Sequence, residues 1–349
     1  MSTFLLYGAN GYTGQLIARE AVVRGLRPVL AGRNAEAVTA LANQLGLERR
    51  IFSLDDPAAT RAGLEGMTAV LHCAGPFAHT ARPMVDACLE ARVHYLDITG
   101  EIGVFETLAG RDTEAMAAGI LLLPGVGFDV VPSDCLAAHL SRRLSNATHL
   151  TLAFHGIGRF SRGTATTVVE NLDAGGVVRR GGALTAVPAA WRTRDIDFGK
   201  GPMQAVTIPW GDVSTAYRST GIGDIEVYSA VSPRQARMMK LSRWFGWALR
   251  SSMVQRYLKR RIQAGPSGPT DEERAKGQTF LWGEASDGGG RRVASRLKGP
   301  EGYTFTMLAA LAAMTRVLSG DAPPGYQTPS LAYGPDFVLE MPGVERTDE

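Results

Sequence analysis

A short apolar run that ends in three spaced glycines constrains this chain more than any other feature. Thr3-Phe4-Leu5-Leu6-Tyr7 reads as a buried strand and leads directly into Gly8-Ala9-Asn10-Gly11-Tyr12-Thr13-Gly14. Leu16, Ile17, Ala21 and Val22 then recur at helical spacing. Strand, glycine turn and helix, in that order, form the setting of a dinucleotide site. Gly8 permits the tight turn, Gly11 lets the backbone approach a pyrophosphate at the helix amino end, and Gly14 lets helix and strand pack closely. Asn10, Tyr12 and Thr13 complete the expected cofactor-binding turn. The spacing is GxxGxxG rather than GxGxxG, and glycine triplets also occur in ordinary turns. The flanking strand and helix therefore carry the reading.

The alternation continues. A second strand, Pro28 to Ala31, ends at Gly32-Arg33-Asn34. A site for NAD(H) usually places Asp or Glu here for the ribose 2′-hydroxyl, whereas a guanidinium can grip a 2′-phosphate. Arg33, with Asn34 beside it, thus points to NADP(H); a solvated residue at a helix start is the other reading of Arg33. Arg50 to Leu54 reads as a third strand, with Asp55 following at an adenine-side position. Ala69 to Ala74 is a fourth, running into Gly75-Pro76-Phe77. Cys73, Ala74, Gly75, Pro76 and Phe77 are expected to border the nicotinamide half. A helix is predicted over Pro83 to Ala91, with Pro83 near its first turn. A fifth strand, His94 to Ile98, ends in Thr99-Gly100-Glu101, and Thr99 and Gly100 join the expected cofactor border. A sixth, Gly119 to Leu123, leads to Gly127-Phe128-Asp129. Such alternation predicts an α/β fold, a Rossmann-type doubly wound parallel sheet, with ligands at the carboxyl ends of its strands.

The remaining composition narrows the function classes. A chain of 349 residues suggests two domains, or one with a large insertion. A net charge of +3 gives no general pull toward nucleic acid. Three cysteines, Cys73, Cys88 and Cys135, lack CxxC spacing, and six histidines show no HExxH pair, so neither a disulfide framework nor a metal site is expected. No apolar run is long and charge-free enough to span a bilayer. Strand-like sequence begins within four residues of the start, leaving no room for a cleavable signal. The expected location is cytoplasmic.

From about Leu150 the texture changes. Strand-like stretches recur at 148–154, 204–208, 225–229, 279–282 and 292–298, the last two flanking Asp287-Gly288-Gly289-Gly290. They predict a second α+β domain with a mainly antiparallel sheet. The expected division is residues 1–135 for the cofactor domain and 136–302 for a substrate or dimerisation domain. Residues 303–349 would then form a helix and tail packing back on the first domain. Between Glu226 and Asp271 there are nine basic residues and no acidic one, interleaved with Trp244, Trp247, Met253 and Tyr257. An amphipathic helix of that kind over 237–262 can lie on a membrane surface, or it can cover a pocket or a homodimer interface with its basic face solvated.

Residues 5–34, Cys73 to Phe77, His94 to Glu101 and Gly127 to Asp134 together resemble the saccharopine dehydrogenase-like oxidoreductases. Gly283-Glu284, Pro300 to Tyr303, Gln327 to Pro329 and Asp336 to Glu340 extend the likeness to the bacterial branch called trans-acting enoyl reductases. The resemblance covers nearly the whole chain, least between about 155 and 270. It implies NADP(H) binding, a Rossmann domain and a second α+β domain, without specifying a substrate.

A hydride acceptor also needs a group that polarises it or supplies a proton. None of the nine tyrosines has lysine four residues on, so the pair used by short-chain dehydrogenases is missing. The candidates at predicted strand ends are Glu101, Asp129 and His79. Glu101 could instead contact cofactor ribose, and Asp129 could hold the loop before Pro132. The leading expectation is an NADPH-dependent reductase acting on a conjugated C=C or C=N bond of a fairly apolar, small or lipid-like substrate. One alternative is a saccharopine-type reaction on an amino-acid imine, with carboxylates held by Arg159, Arg162, Arg179 or Arg180. Another is a non-catalytic dinucleotide-binding protein associated with lipid surfaces.

Overall fold

The computed structural model describes residues 3–156, 158–170, 175–249 and 251–349, with backbone only for 242–249 and 252. Contacts divide the chain into two units, Met1–Val131 with Tyr303–Ala332, and Pro132–Gly302 with Tyr333–Glu349.

The first unit alternates strand and helix: β1 (Phe4–Tyr7), α1 (Tyr12–Val23), β2 (Val29–Gly32), α2 (Ala35–Leu45), β3 (Arg49–Ile51) and α3 (Pro57–Leu64). It continues with β4 (Ala69–His72), α4 (Phe77–Ala91), β5 (His94–Asp97), α5 (Ile102–Ala109), α6 (Asp112–Ala118) and β6 (Leu121–Leu123). The strands of β1, β2, β4 and β6 are buried throughout, as expected of parallel strands covered on both faces. Helix starts are chemically marked: Asn34 accepts from the Ala37 amide at 3.0 Å, and Asp56 from that of Ala59 at 3.0 Å.

The second unit contains α7 (Val131–Arg143, its first residue in the first unit), β7 (His149–His155), α8 (Arg162–Glu170), β8 (Gly176–Arg180) and β9 (Ala183–Val187). Next come β10 (Thr193–Asp197), β11 (Pro202–Thr207), α9 (Asp212–Thr220), β12 (Asp224–Ala230), α10 (Pro233–Leu249) and α11 (Ser252–Ala264). Last are α12 (Asp271–Lys276), β13 (Gln278–Ser286) and β14 (Arg292–Pro300). The chain then returns to the first unit with α13 (Gly302–Leu318) and β15 (Gly325–Tyr326). It finishes with α14 (Pro329–Tyr333) and β16 (Glu345–Asp348).

The first sheet has the order β15-β6-β5-β4-β1-β2-β3, and every pairing in it is parallel. This is the doubly wound arrangement expected from the alternation, with the strand order reversing on either side of β1 and β4. The second sheet runs β10-β11-β12-β7-β13-β14-β16, with β8 and β9 attached through β12. It is antiparallel except where β12 meets β7. One of its faces carries α7: a Cβ on Gly283 would stand 2.7 Å from Leu140 Cδ1 and 3.1 Å from Leu136 Cδ2. The sheet also curls. β10 stands four places from β13, yet Arg194 Nη2 donates to Glu284 Oε1 at 2.9 Å.

Three boundaries differ from those read in sequence. The segment 303–349 is divided, because β15 adds to the parallel sheet beside β6 whereas β16 pairs with β14 in the other. α4 begins at Phe77, so Pro83 lies inside it rather than in its first turn. β3 ends at Ile51, although Phe52 and Leu54 remain buried beyond it.

Candidate functional site

The expected cofactor turn joins β1 to α1 at the carboxyl edge of the parallel sheet. Gly8 adopts φ +80°, and a Cβ there would stand 2.8 Å from both the Ala74 nitrogen and the Cys73 carbonyl carbon. The turn after β1 and the end of β4 thus touch backbone to backbone, which only glycine allows. A Cβ on Gly14 would meet the Gly8 carbonyl oxygen and stand 2.9 Å from Ala9 Cα. Gly11 precedes α1, and no side chain caps that helix. The amino end of α1 therefore keeps backbone donors and a positive dipole end for an anion. Gln15 Nε2 donates to the Asn10 carbonyl at 3.0 Å and steadies the turn.

At the end of β2, Arg33 is exposed and makes no ion pair among the described residues. Asn34 is committed to capping α2. Asp55 is exposed, and its carboxylate accepts from Ser53 Oγ at 2.9 Å. The end of β2 thus offers, among the described residues, an uncommitted guanidinium and no acid at the strand end itself. These features fit NADP(H): a glycine cradle, an uncapped helix and a free guanidinium.

The ends of β4 and β5 form the other half. Glu101 accepts from the Phe77 amide through Oε1 and from the Ala78 amide through Oε2, both at 2.8 Å. It supplies the cap that Pro76 lacks, which explains why α4 starts there. Thr80 Oγ1 donates to the Ala74 carbonyl at 2.6 Å, tying the Cys73 to Phe77 loop to the same turn. Burial pushes the Cys73 thiol far above its usual range, so it stays protonated and non-nucleophilic. Asp97 ends β5 fully buried. Its Oδ2 accepts from Tyr95 at 2.7 Å, and its Oδ1 from the Thr99 and Gly125 amides at 2.9 Å each. Thr99 Oγ1 accepts from the Glu101 amide at 3.1 Å.

Asp129 is half-buried against Gly100, where a Cβ would lie 2.8 Å from its Oδ2. Burial raises its pKa from 3.8 to about 6. His79 is exposed one turn into α4. The three candidate acid–base residues therefore have different surroundings: Glu101 holds a helix start, His79 is exposed, and Asp129 packs against Gly100.

Several neighbours escaped sequence reasoning. Gly32 is one: a Cβ there would lie 3.2 Å from Asn10 Oδ1. His72 packs between the rings of Tyr7, Phe77 and Tyr95 at centroid distances of 5.5, 5.3 and 6.2 Å. Burial drops its pKa to about 3, so it is neutral. Tyr303 meets Tyr12 edge-on at 5.0 Å, and Thr306 Oγ1 accepts from the Phe128 amide at 3.0 Å. No local signal links these last pairs, since about 180 or more residues separate them along the chain.

The arginines suggested for imine carboxylates are largely occupied. Arg162 donates to the Gly265 carbonyl at 2.6 Å, Arg159 pairs with Glu273 at 3.3 Å, and Arg179 binds the Val213 and Gly182 carbonyls. In the basic segment 237–262, the side chains of Trp244 and Trp247 lie outside the described residues. Among those described, no helix is long and apolar enough to cross a membrane, and no cluster of His, Cys, Asp or Glu is arranged for a metal ion.

Sheet order and glycine turn together define a dinucleotide-binding domain. Residues 4–123 match the model of the saccharopine dehydrogenase NADP binding domain. A trans-acting enoyl reductase of Mycobacterium ulcerans is 32% identical over 147 residues, covering 40% of this chain and 35% of that protein. A saccharopine dehydrogenase-like oxidoreductase of Bos taurus is 26% identical over 166 residues, covering 41% and 38%. The match thus spans well under half the length of either relative. Apo saccharopine dehydrogenase (L-Glu forming) from Saccharomyces cerevisiae aligns over 100% of both chains with a TM-score of 0.63 at 11% identity, a likeness of fold.

Proposed function

We propose that the chain is an NADPH-dependent reductase that transfers a hydride to a conjugated C=C or C=N bond of a fairly apolar small or lipid-like molecule. One observation carries the cofactor half of this reading. The amino end of α1 is uncapped above a glycine cradle, and the exposed Arg33 stands where an NAD site would present an acid. When bound, NADPH supplies the hydride. The chain's own residues do the rest: Gly8, Gly11 and Gly14 admit the pyrophosphate, and Arg33 holds the 2′-phosphate. Glu101 fixes the loop of Cys73 to Phe77 by anchoring α4, and Asp129 delivers the proton. The enoyl reductase named among the relatives supports the C=C acceptor. Of the four arginines considered for the imine reading, Arg159, Arg162 and Arg179 are occupied, and only Arg180 lacks a carboxylate or carbonyl partner among the described residues.

The test is binding of NADPH and NADH to wild type and Arg33→Ala by calorimetry. Losing a charge-assisted contact of about 1.5–3 kcal/mol should weaken NADPH about tenfold or more while leaving NADH unchanged. Equal loss for both, or no binding of either, overturns the reading. For Asp129, the carboxyl is protonated below about pH 6 and loses its proton above it. Turnover should therefore fall as pH rises through that value, and Asp129→Asn should abolish that limb of the profile.

A second reading concerns location. Met238, Met253 and Tyr257 are 71%, 73% and 61% exposed on helices that carry basic residues and no acidic ones. This favours peripheral contact with an anionic lipid surface. Flotation with anionic vesicles, lost in a Met253→Ser/Tyr257→Ser variant, tests it; equal flotation of wild type and variant rejects it.

A further inference from the structure

The second unit holds a cavity of about 740 Å³. Its floor follows from strand register. One row across β12, β7, β13 and β14 reads Asp224, His149, Ser286, Arg292, and the next begins Glu226, Thr151, Glu284. Residues paired across strands share a face, and so do residues two apart along a strand. The third row, Tyr228, Ala153 and Trp282, is buried among Ile196, Phe198 and Ala205. The polar rows are thus the open end of a sheet face whose far end is closed by an apolar core. Arg179 and Arg180 of β8 and Arg192 and Arg194 at β10 rise as walls.

Five arginines and three carboxylates line the cavity, a surplus of two positive charges among these eight groups. The carboxylates serve to set the walls. Arg192 Nη1 lies 2.7 Å from Glu226 Oε1, which leaves Glu226 Oε2 to accept from Tyr228 at 2.6 Å. Arg194 is held by Glu284, and His149 Nε2 lies 3.6 Å from Asp224. Arg180 has no carboxylate partner among the described residues. Its guanidinium stacks on Trp191 at 4.3 Å from the ring centroid, and that of Arg192 at 4.2 Å from the same centroid. One indole therefore carries two like charges, and this adds to the positive surplus of the cavity. Arg292 lies 3.9 Å from the nearest carboxylate oxygen, on Glu284, which Arg194 already holds.

We propose that this cavity binds a compact organic dianion, a phosphate- or dicarboxylate-bearing small molecule. Arg180 and Arg292 would take the charge, and Thr151 with the two glutamates would receive a polar group on the floor. Its volume is in the range of small-molecule sites, about 300–1,000 Å³. Planar guanidiniums suit the oxygens of either anion. The site lies wholly in the second unit and does not depend on the cofactor reading.

The experiment titrates inorganic phosphate and, separately, succinate into the full chain by calorimetry at low salt. Wild type should bind at least one of them saturably with one site, and the preferred anion identifies the class. The double variant Arg180→Glu/Arg292→Glu should lose at least about tenfold in affinity and still fold, because both side chains are surface-exposed. No saturable binding of either anion, or retention of binding by the double variant, would overturn the proposal.

Discussion

Three donors converge on Asp97, and yet burial is the larger influence on it: the carboxyl titrates at about 6 rather than 3.8. The unfolded chain releases this proton at the lower value while the fold retains it. Between about pH 4 and 6 the native state therefore binds more protons, and stability falls as pH rises through that window. Asp97→Asn keeps an oxygen for the Thr99 and Gly125 amides and an NH2 that can donate to the Tyr95 oxygen. Urea denaturation at pH 4 and pH 7 should show the difference between the two shrink by on the order of 2 kcal/mol in the variant. Asp129 shifts in the same direction, so some slope should persist. A profile unchanged from wild type would mean that Asp97 does not titrate in this window. Legibility differs among neighbouring residues here. Arg33 could be read from its position after β2, because side chains at a strand end are placed by the strand itself. The role of Asp97 could not, since it depends on Gly125, which a separate strand brings alongside.

Among the elements, α4 departs furthest from its local signal. Pro83 cannot donate to the carbonyl four residues earlier, and a helix read from sequence naturally begins at it. The observed helix starts at Phe77 because a carboxylate from another loop accepts its first two amides. Glu101→Ala should cost about 2–3 kcal/mol, the scale of charge-assisted hydrogen bonds, and Glu101→Gln should cost less because it keeps an acceptor. Hydrogen exchange at the Phe77 and Ala78 amides should quicken in step. Unchanged exchange, with activity lost, would instead place Glu101 in the chemistry. α2 and α3 behave in the opposite way, since their capping residues Asn34 and Asp56 lie in the helices' own sequence.

At the scale of the whole molecule the final residues belong with the second sheet. β16 covers the edge of β14, and Asp348 meets His139 at 2.8 Å, Arg143 at 3.1 Å and Ser295 at 2.8 Å. Deleting residues 344–349 uncovers that edge and leaves buried parts of Arg143 and Ser295 without their partner. The second unit should lose on the order of 2–4 kcal/mol and become prone to association. NADPH binding by the first unit should persist, as calorimetry and light scattering on the truncated chain would show. Loss of cofactor binding at unchanged second-unit stability would contradict this assignment of the tail.

The sequence by itself determined the first sheet, its parallel winding and the glycine turn after β1. Each rests on patterns within one strand–turn–helix stretch, where glycine spacing and apolar periodicity report directly on backbone geometry. It also indicated an antiparallel second sheet from alternating runs. Only the tertiary structure decided what that sheet builds. The rows Asp224-His149-Ser286-Arg292 and Glu226-Thr151-Glu284 come from four separate strands, and their walls come from two more. Register and curl place those charges side by side, and neither leaves a signature in the local order of residues. The same is true of Tyr303 against Tyr12 and of the start of α4. These features are contacts between segments, and only the folded chain brings such segments together.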